Sequence, residues 1–322
     1  MGTLAIRDQL TLIELAKRTA NKELLTIAEV LNETNEMLDN AIWVEANQLT
    51  SHVTTVRTSL PTGSWRAINE GVVEEASSTR QIVEPMGMLE AYSTVDKKLV
   101  DIAPNPIEFR SGEDKAFIEG LGQTLQETII YGSRADEIRE FDGFSVRPDW
   151  DATAHPYVWG AGGDGSDTTS MWLVQWGVDK VHLIYPKGSQ TMGIKRDDLG
   201  EQTVYESGNP YQAYRSHFTI DSGLVIRNPR NVQRIVNIET TGSTNILDDD
   251  LIIKALNQMV QRGAGAIIYC NRTLLSQLDI MAKDKSNVSW SSAEIFGKQI
   301  TTFQGHPVRL VEQILDSETV IT

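Results

Sequence analysis

The stretch from Ser111 to Gly143, SGEDKAFIEGLGQTLQETIIYGSRADEIREFDG, decides how the rest of the chain is read. Ser111 suits a helix cap, and Asp114, three residues on, suits a capping box. Glu113 and Asp114 place negative charge in the first turn, where the helix dipole favours it. Phe117, Leu121, Leu125 and Ile129 recur at i+4 and form one apolar stripe. Gly132 is placed to end the helix in a left-handed cap. The spacing predicts a rod of about twenty residues, roughly 30 Å long. Alone, such a rod is an ordinary core helix, so its surroundings carry the argument.

The chain has 322 residues, 40% of them hydrophobic, enough for a sizeable core and a length that suggests two or three domains. Its net charge of −15 argues against a surface that grips nucleic acid phosphates. Such acidity keeps a concentrated protein soluble or keeps a wall from sticking to polyanions. The single cysteine, Cys270, cannot form an internal disulfide and points to a reducing compartment. The first residues, MGTLAIRDQLTLIELAKR, lack an apolar signal core, and no run reaches membrane-spanning length. The expectation is a soluble intracellular product with no membrane association.

Residues 1–50 read as broken helical pieces, one on Leu10, Ile13 and Ala16 and another on Leu24, Ile27, Ala28 and Leu31. Neither is long enough to be stable alone. From His52 to Val95 the period changes to that of strands. HVTTVRTSL alternates, Pro61-Thr62-Gly63 interrupts, Trp65 to Ile68 continues, Asn69-Glu70-Gly71 turns, and TRQIVEP resumes. This predicts a long two-stranded arm with a loop near Gly71 to Ser78, and an isolated hairpin of that kind needs a partner surface. Arg57, Arg66 and Arg80 stand against Glu70, Glu74, Glu75, Glu84 and Glu90. Those charges read either as a solvated edge that resists aggregation or as pairs made across subunits. The candidate intersubunit contacts are Arg57, Arg66, Arg80, Glu74, Glu75 and Glu84.

The remainder contains no catalytic constellation. GAGGDGSD lacks the lysine-serine or lysine-threonine end of a phosphate loop and the closing glutamate of a calcium loop. SMWLVQWG and DKVHLIYP read as paired strands joined near Gly177, with Trp172 and Trp176 on one face and Leu173 and Gln175 on the other. His182 and His217 lack metal-site spacing. Asp248, Asp249 and Asp250 charge and cap the helix LIIKALNQMVQRG, which Gly263 ends. AIIYC is a buried strand, Asn271 caps a second helix to about Lys283, and two short strands with Gly305-His306-Pro307 between them close the chain. RGAGA lacks the dinucleotide fingerprint. No catalytic, cofactor-binding or metal residue is nominated.

Five stretches carry a resemblance: NQLTSHVTTVRTSLPTGSWRAINEGV, GMLEAYSTVDKKL, YGSRADEIREFDGF, WLVQWGVDKVHLIYPKGS and FQGHPVRLVEQIL. In this order they resemble the major capsid proteins of tailed bacteriophages, short-tailed (podovirus-like) type, which have the Hong Kong 97 fold. The resemblance implies an α+β chain divided into an N-terminal arm (1–50), an extended β-hairpin E-loop (51–96), a peripheral domain (97–149) with a spine helix at about 112–131, an axial domain with a strand-rich insertion (150–295), and a return to the peripheral domain (296–322). It implies pentamers and hexamers that close into an icosahedral shell around double-stranded DNA, without sequence-specific binding. It further implies a virion capsid location after assembly in the host bacterial cytoplasm, with a scaffolding protein, a portal protein and a decoration or cement protein as partners. Some relatives cross-link through an E-loop lysine, but Ser51 to Asp96 contains no lysine, so no isopeptide bond is expected. The alternatives are an encapsulin-like nanocompartment shell and, remotely, an acidic hydrolase.

Overall fold

The computed structural model describes residues 19–20, 23–24, 36–189, 193–284, 290–295 and 298–322. Two short strands, β1 (Thr19–Ala20) and β2 (Glu23–Leu24), precede a helix α1 (Glu36–Asn40) and β3 (Trp43–Glu45). Strands β4 (Ser51–Ser59), β5 (Ser78–Pro85) and β6 (Gly87–Asp96) lead into helices α2 (Lys97–Ile102) and α3 (Pro106–Tyr131). Then come β7 (Val158–Gly160), β8 (Thr168–Val174), β9 (Val181–Tyr185), β10 (Lys195–Glu206), β11 (Asn209–Ile226) and β12 (Val232–Glu239). The chain ends with α4 (Asp249–Gln258), β13 (Ile267–Cys270), α5 (Arg272–Asp284), β14 (Trp290–Ile295), β15 (Lys298–Phe303) and β16 (His306–Leu310). The fold is α+β.

Two sheets and α3 organise the body. One sheet has the order β10-β11-β9-β3, with β6 also on β11; the other runs β14-β15-β16-β13-β8-β12-β7. Strand β8 lies inside the second sheet and is buried along its whole length. Alternation along it divides the core. Trp172 and Val174 join Leu121, Leu125, Ile129 and Ile130 of α3, together with residues of β9 and β11. Met171 and Leu173 face the other way, onto Ile252, Ala255 and Leu256 of α4 and Leu274 and Leu278 of α5. Trp172 and Trp176 do share one cluster, as their parity predicts.

The long helix begins earlier than the reading from Ser111. Its N-cap is Asn105, whose side chain accepts the Glu108 N–H, and Pro106 fills the first helical position, where a missing N–H costs nothing. Asp114 is not a cap residue. It is buried and takes an ion pair from Arg196 at 2.6 Å. Gly132 ends the helix as expected, but not in the left-handed region: its φ is −48° and ψ 134°. Glycine is required here for space. A Cβ would lie 2.5 Å from the Thr128 carbonyl oxygen and 2.6 Å from that of Phe141. The chain folds back at this point, so that the N–H groups of Gly143, Phe144 and Ser145 donate to the carbonyls of Gly132, Ile129 and Ile130. The last turn of α3 is thereby satisfied by the loop that leaves it.

Other expectations fail for identifiable reasons. Strands β8 and β9 do not pair with each other; β8 lies between β12 and β13, while β9 lies between β11 and β3. Two adjacent apolar strands in sequence predict a hairpin, but the Gly177–Lys180 turn carries the chain from one sheet to the other. Trp65 to Ile68 is not strand, and residues 60–77 form one long loop. Strand β6 leaves the arm and pairs with β11, from Gly87↔Ser222 to Asp96↔Ala213. Helix α4 stops at Gln258, ahead of a 3-10 turn in which Gln261, Arg262 and Gly263 have positive φ. Strand β14 pairs with β15, beyond the two closing strands that the sequence predicts. In the leading segment, Leu24 pairs with Thr19 in a strand and Trp43–Glu45 is also strand, not helix. Leu10, Ile13, Ala16, Ile27, Ala28 and Leu31 lie outside the described residues.

Candidate intersubunit surface

The feature that stands away from the body is the hairpin β4–β5 with its loop 60–77. Its register runs from Ser51↔Pro85 to Ser59↔Ser78, with a bulge between Arg57 and Ser59. Burial falls off along it: His52, Thr54 and Glu84 near the root are buried, and residues 57–81 are exposed throughout. The loop carries large apolar side chains that the described residues leave exposed. Trp65 is 104% exposed and Ile68 92%, with Leu60, Val72 and Val73 also exposed. A cluster of exposed apolar residues on an extended loop marks an interaction site, because water is a poor solvent for it.

The root is fixed by charge and by close backbone approach. Arg147 donates to both carboxylate oxygens of Glu84, at 2.7 and 3.2 Å, and its remaining N–H groups reach the carbonyls of Asp142, Gly143 and Leu224. The pair is bidentate and the two side chains are 13% and 10% exposed. Pro85 crosses β11 so closely that a Cβ on Gly223 would lie 2.7 Å from the Pro85 carbonyl oxygen. The Asn47 side chain brackets Val53, accepting its N–H and donating to its carbonyl.

The six charged residues singled out in the sequence therefore divide. Arg57, Arg80 and Glu74 are exposed and make no side-chain hydrogen bond or ion pair among the described residues. Arg66 is exposed and donates to the Glu70 carbonyl within the loop. Glu75 closes the loop by accepting the N–H groups of Thr62 and Gly63, and these bonds, Gly63 first, hold its carboxyl below the usual range. Glu84 is buried and spent on Arg147. Arg147, Trp65 and Ile68 were missed. Arg147 sits in a stretch with no periodicity, and Trp65 was absorbed into a strand, although two turn signals enclose it.

A second arrangement ties the chain's end to the body. The Glu318 carboxylate accepts from Arg234 at 3.0 Å, from the Ser170 hydroxyl at 2.7 Å and from the Tyr131 hydroxyl. Burial and the neighbouring Glu318 push the Tyr131 hydroxyl's pKa far up, so it stays a donor. Arg234 also donates to the Trp150 carbonyl and lies over the Trp172 ring. This clasp joins α3, β8, β12 and the C-terminal segment.

Catalytic arrangements find little support. At the start of α3, a groove of about 620 Å³ is lined by Ile107, Lys115, Tyr214 and two ion pairs, Arg110–Asp198 at 2.7 Å and Arg196–Asp114 at 2.6 Å. Arg110 holds the Asp198 carboxyl below its ordinary range, the opposite of a general acid. Burial, and then Glu90, raise the Asp221 carboxyl above its ordinary range. It sits beside Met88 on an open sheet face, where Met88 is 77% exposed and Glu90 pairs with His217 at 3.0 Å. Asp248, Asp249 and Asp250 cluster, but Asp248 is the N-cap of α4, accepting the Asp250 N–H. Among the described residues no helix is long and apolar enough to cross a membrane.

Comparison with known proteins places these features in context. A family model described as major capsid protein GP7 matches residues 19–322. No curated protein matches the chain. A chain in the near-atomic-resolution structure of bacteriophage Epsilon15 is similar over 99% of both chains, at 29% identity and a TM-score of 0.72. A chain of the capsid of the Myoviridae phage XM1 is 10% identical over 72% of this chain and 100% of its own, with a TM-score of 0.45. A chain of the holo-SrpI encapsulin complex from Synechococcus elongatus is 11% identical over 74% of this chain and 98% of its own, with a TM-score of 0.47. These last two likenesses are too distant to weigh between virus and nanocompartment.

Proposed function

The chain belongs to the major capsid protein GP7 family, and from that premise we propose how it builds a shell. Membership makes it a structural protein of the tailed-phage virion capsid, with a Hong Kong 97-like α+β fold, and not an enzyme. Many copies of it assemble into the shell. The finer reading is that the copies form pentamers and hexamers of an icosahedral shell around double-stranded DNA, as in short-tailed phages, with scaffolding, portal and decoration or cement proteins as partners. Its net charge of −15 supports the DNA reading, since an acidic wall does not hold packaged phosphates.

Within that reading, residues 51–96 act as the E-loop, α3 as the spine helix of a peripheral domain spanning 97–149, residues 150–295 as the axial domain and 296–322 as the return segment. The observation that carries it is the arm: a hairpin exposed along its outer length, ending in a loop whose Trp65 and Ile68 are left almost wholly exposed among the described residues. Such a loop is stable only against another surface, and a neighbouring copy supplies one. Arg57, Arg66, Arg80, Glu74 and Glu75 then ring an apolar centre with charge, setting partner and register more than affinity. Glu84 serves them indirectly by fixing the root.

A cryo-EM reconstruction of the assembled particle tests this arrangement. The expected map has loop 60–77 covered by density of an adjacent copy, with Trp65 buried between them. A map in which the loop projects into solvent in every copy would remove the assignment while leaving family membership intact.

A further inference from the structure

Two histidines meet at the root of the arm, and their surroundings are unusual. His182, in β9, is fully buried, and neither ring nitrogen makes a well-formed hydrogen bond, although the Gly177 carbonyl faces the ring. His52, the second residue of β4, is 6% exposed and accepts the Asn47 N–H at 3.3 Å. Their ring centroids lie 5.8 Å apart at 85°, an edge-to-face contact. His52 stands directly opposite Glu84 in the hairpin register, and Glu84 is the residue that Arg147 clamps. This contact therefore joins the arm to the sheet that carries it.

The charges around the pair oppose protonation. From the residue just after β11, Arg227 faces both rings, and from β4 His52 faces His182. The turn before β9 offers the Gly177 carbonyl and Asp179, which act the other way, but Asp179 is 91% exposed and engaged by Arg227 at 3.4 Å. From β5, Glu84 favours a charged His52, but its carboxylate is held by Arg147. Strand β3 brings Glu45, whose carboxylate takes the Gly188 N–H. A proton on either ring would be a buried cation beside a guanidinium, with the nearby carboxylates of Glu84 and Asp179 already paired to arginines.

We propose that His52 and His182 form an acid-sensitive latch, which holds the arm's root against β9 while both rings are neutral and lets it go when either takes a proton. Burial, then Arg227 and His52, draw the His182 pKa from 6.5 down to about 4, and burial lowers His52 as well. Because the folded-state pKa is depressed, the neutral contact is at full strength above pH 6.5 and weakens as pH falls toward 4. Release lets the arm change its angle to the body. The inference concerns contacts within one chain, so it stands or falls separately from the shell reading.

Hydrogen–deuterium exchange on the full-length chain tests it, in one oligomeric state at steps from pH 7.5 down to pH 4 and corrected for the intrinsic rate. Between pH 7.5 and pH 5 the opening constant of residues 51–59 and 78–85, relative to β8 and β12, should rise, by up to roughly 30-fold where opening relieves the whole His182 shift. The rise should begin below pH 6.5 in the unaltered chain. His182→Phe keeps an aromatic ring in place and should remove most of the rise, and His52→Phe should lower it by the smaller share that His52 carries. A rise that begins only where carboxylates titrate, or no rise, overturns the latch even if both variants fail to fold. The same rise in a folded His182→Phe chain overturns it too.

Discussion

Replacing Glu318 with alanine should destabilise the folded chain by about 3–5 kcal/mol, the range for removing one partner of a buried ion pair. The reason is what remains. Arg234 has a side chain only 4% exposed, and without the carboxylate it becomes a buried cation whose other contacts are a carbonyl and the face of Trp172. Tyr131 and Ser170 would lose their acceptor in the same change. Denaturant midpoints of the unassembled chain measure the loss. Replacing both ends of the pair, Arg234→Met with Glu318→Leu, should recover much of it, because apolar residues of similar size carry no stranded charge. A midpoint unchanged by Glu318→Ala would mean that the clasp does not hold the C-terminal segment to the body.

The double substitution Trp65→Ser with Ile68→Ser should do the reverse. Neither side chain is covered by its own chain, so folding stability should stay within about 0.5 kcal/mol of the parent. Assembly should fail, because truncating aromatic anchors at the centre of an interface commonly costs 2 kcal/mol or more each. With one arm per copy, that loss repeats around every ring. Sedimentation velocity should then show small species where the parent gives shells. Shells in normal yield from the double variant would show that the loop's apolar tip is not part of the assembly contact.

Much of this fold was legible in the sequence where one local rule acts alone. The i+4 stripe of α3, the aspartate cap of α4, the asparagine cap of α5 and the buried run of β13 each follow from periodicity and cap chemistry. The errors arose where a second rule competed. Ser111 looked like a cap, yet Asn105-Pro106 offered a better one a turn and a half earlier, because proline at the first position is prepaid in both φ and the missing donor. Asp114 looked like part of that cap, but its partner, Arg196, is a residue of β10. Pairing between strands is a tertiary fact: nothing in SMWLVQWG or DKVHLIYP states that the turn between them changes sheets.

The candidate surface was half legible for the same reason. Alternation and turn residues gave the arm, and counting charges gave its exposed ions. The root contacts came from Arg147 and His182, distant in sequence and without motif spacing. Trp65 illustrates the opposite case, since an aromatic between polar residues reads as a strand until its lack of neighbours is seen.

The central claim is that this chain is a shell subunit, and negative-stain electron microscopy with mass photometry of the chain expressed alone tests it most directly. The account predicts closed shells, or species with the masses of pentamers and hexamers. A compact monomer or dimer that never assembles, even with crowding agents, would contradict it.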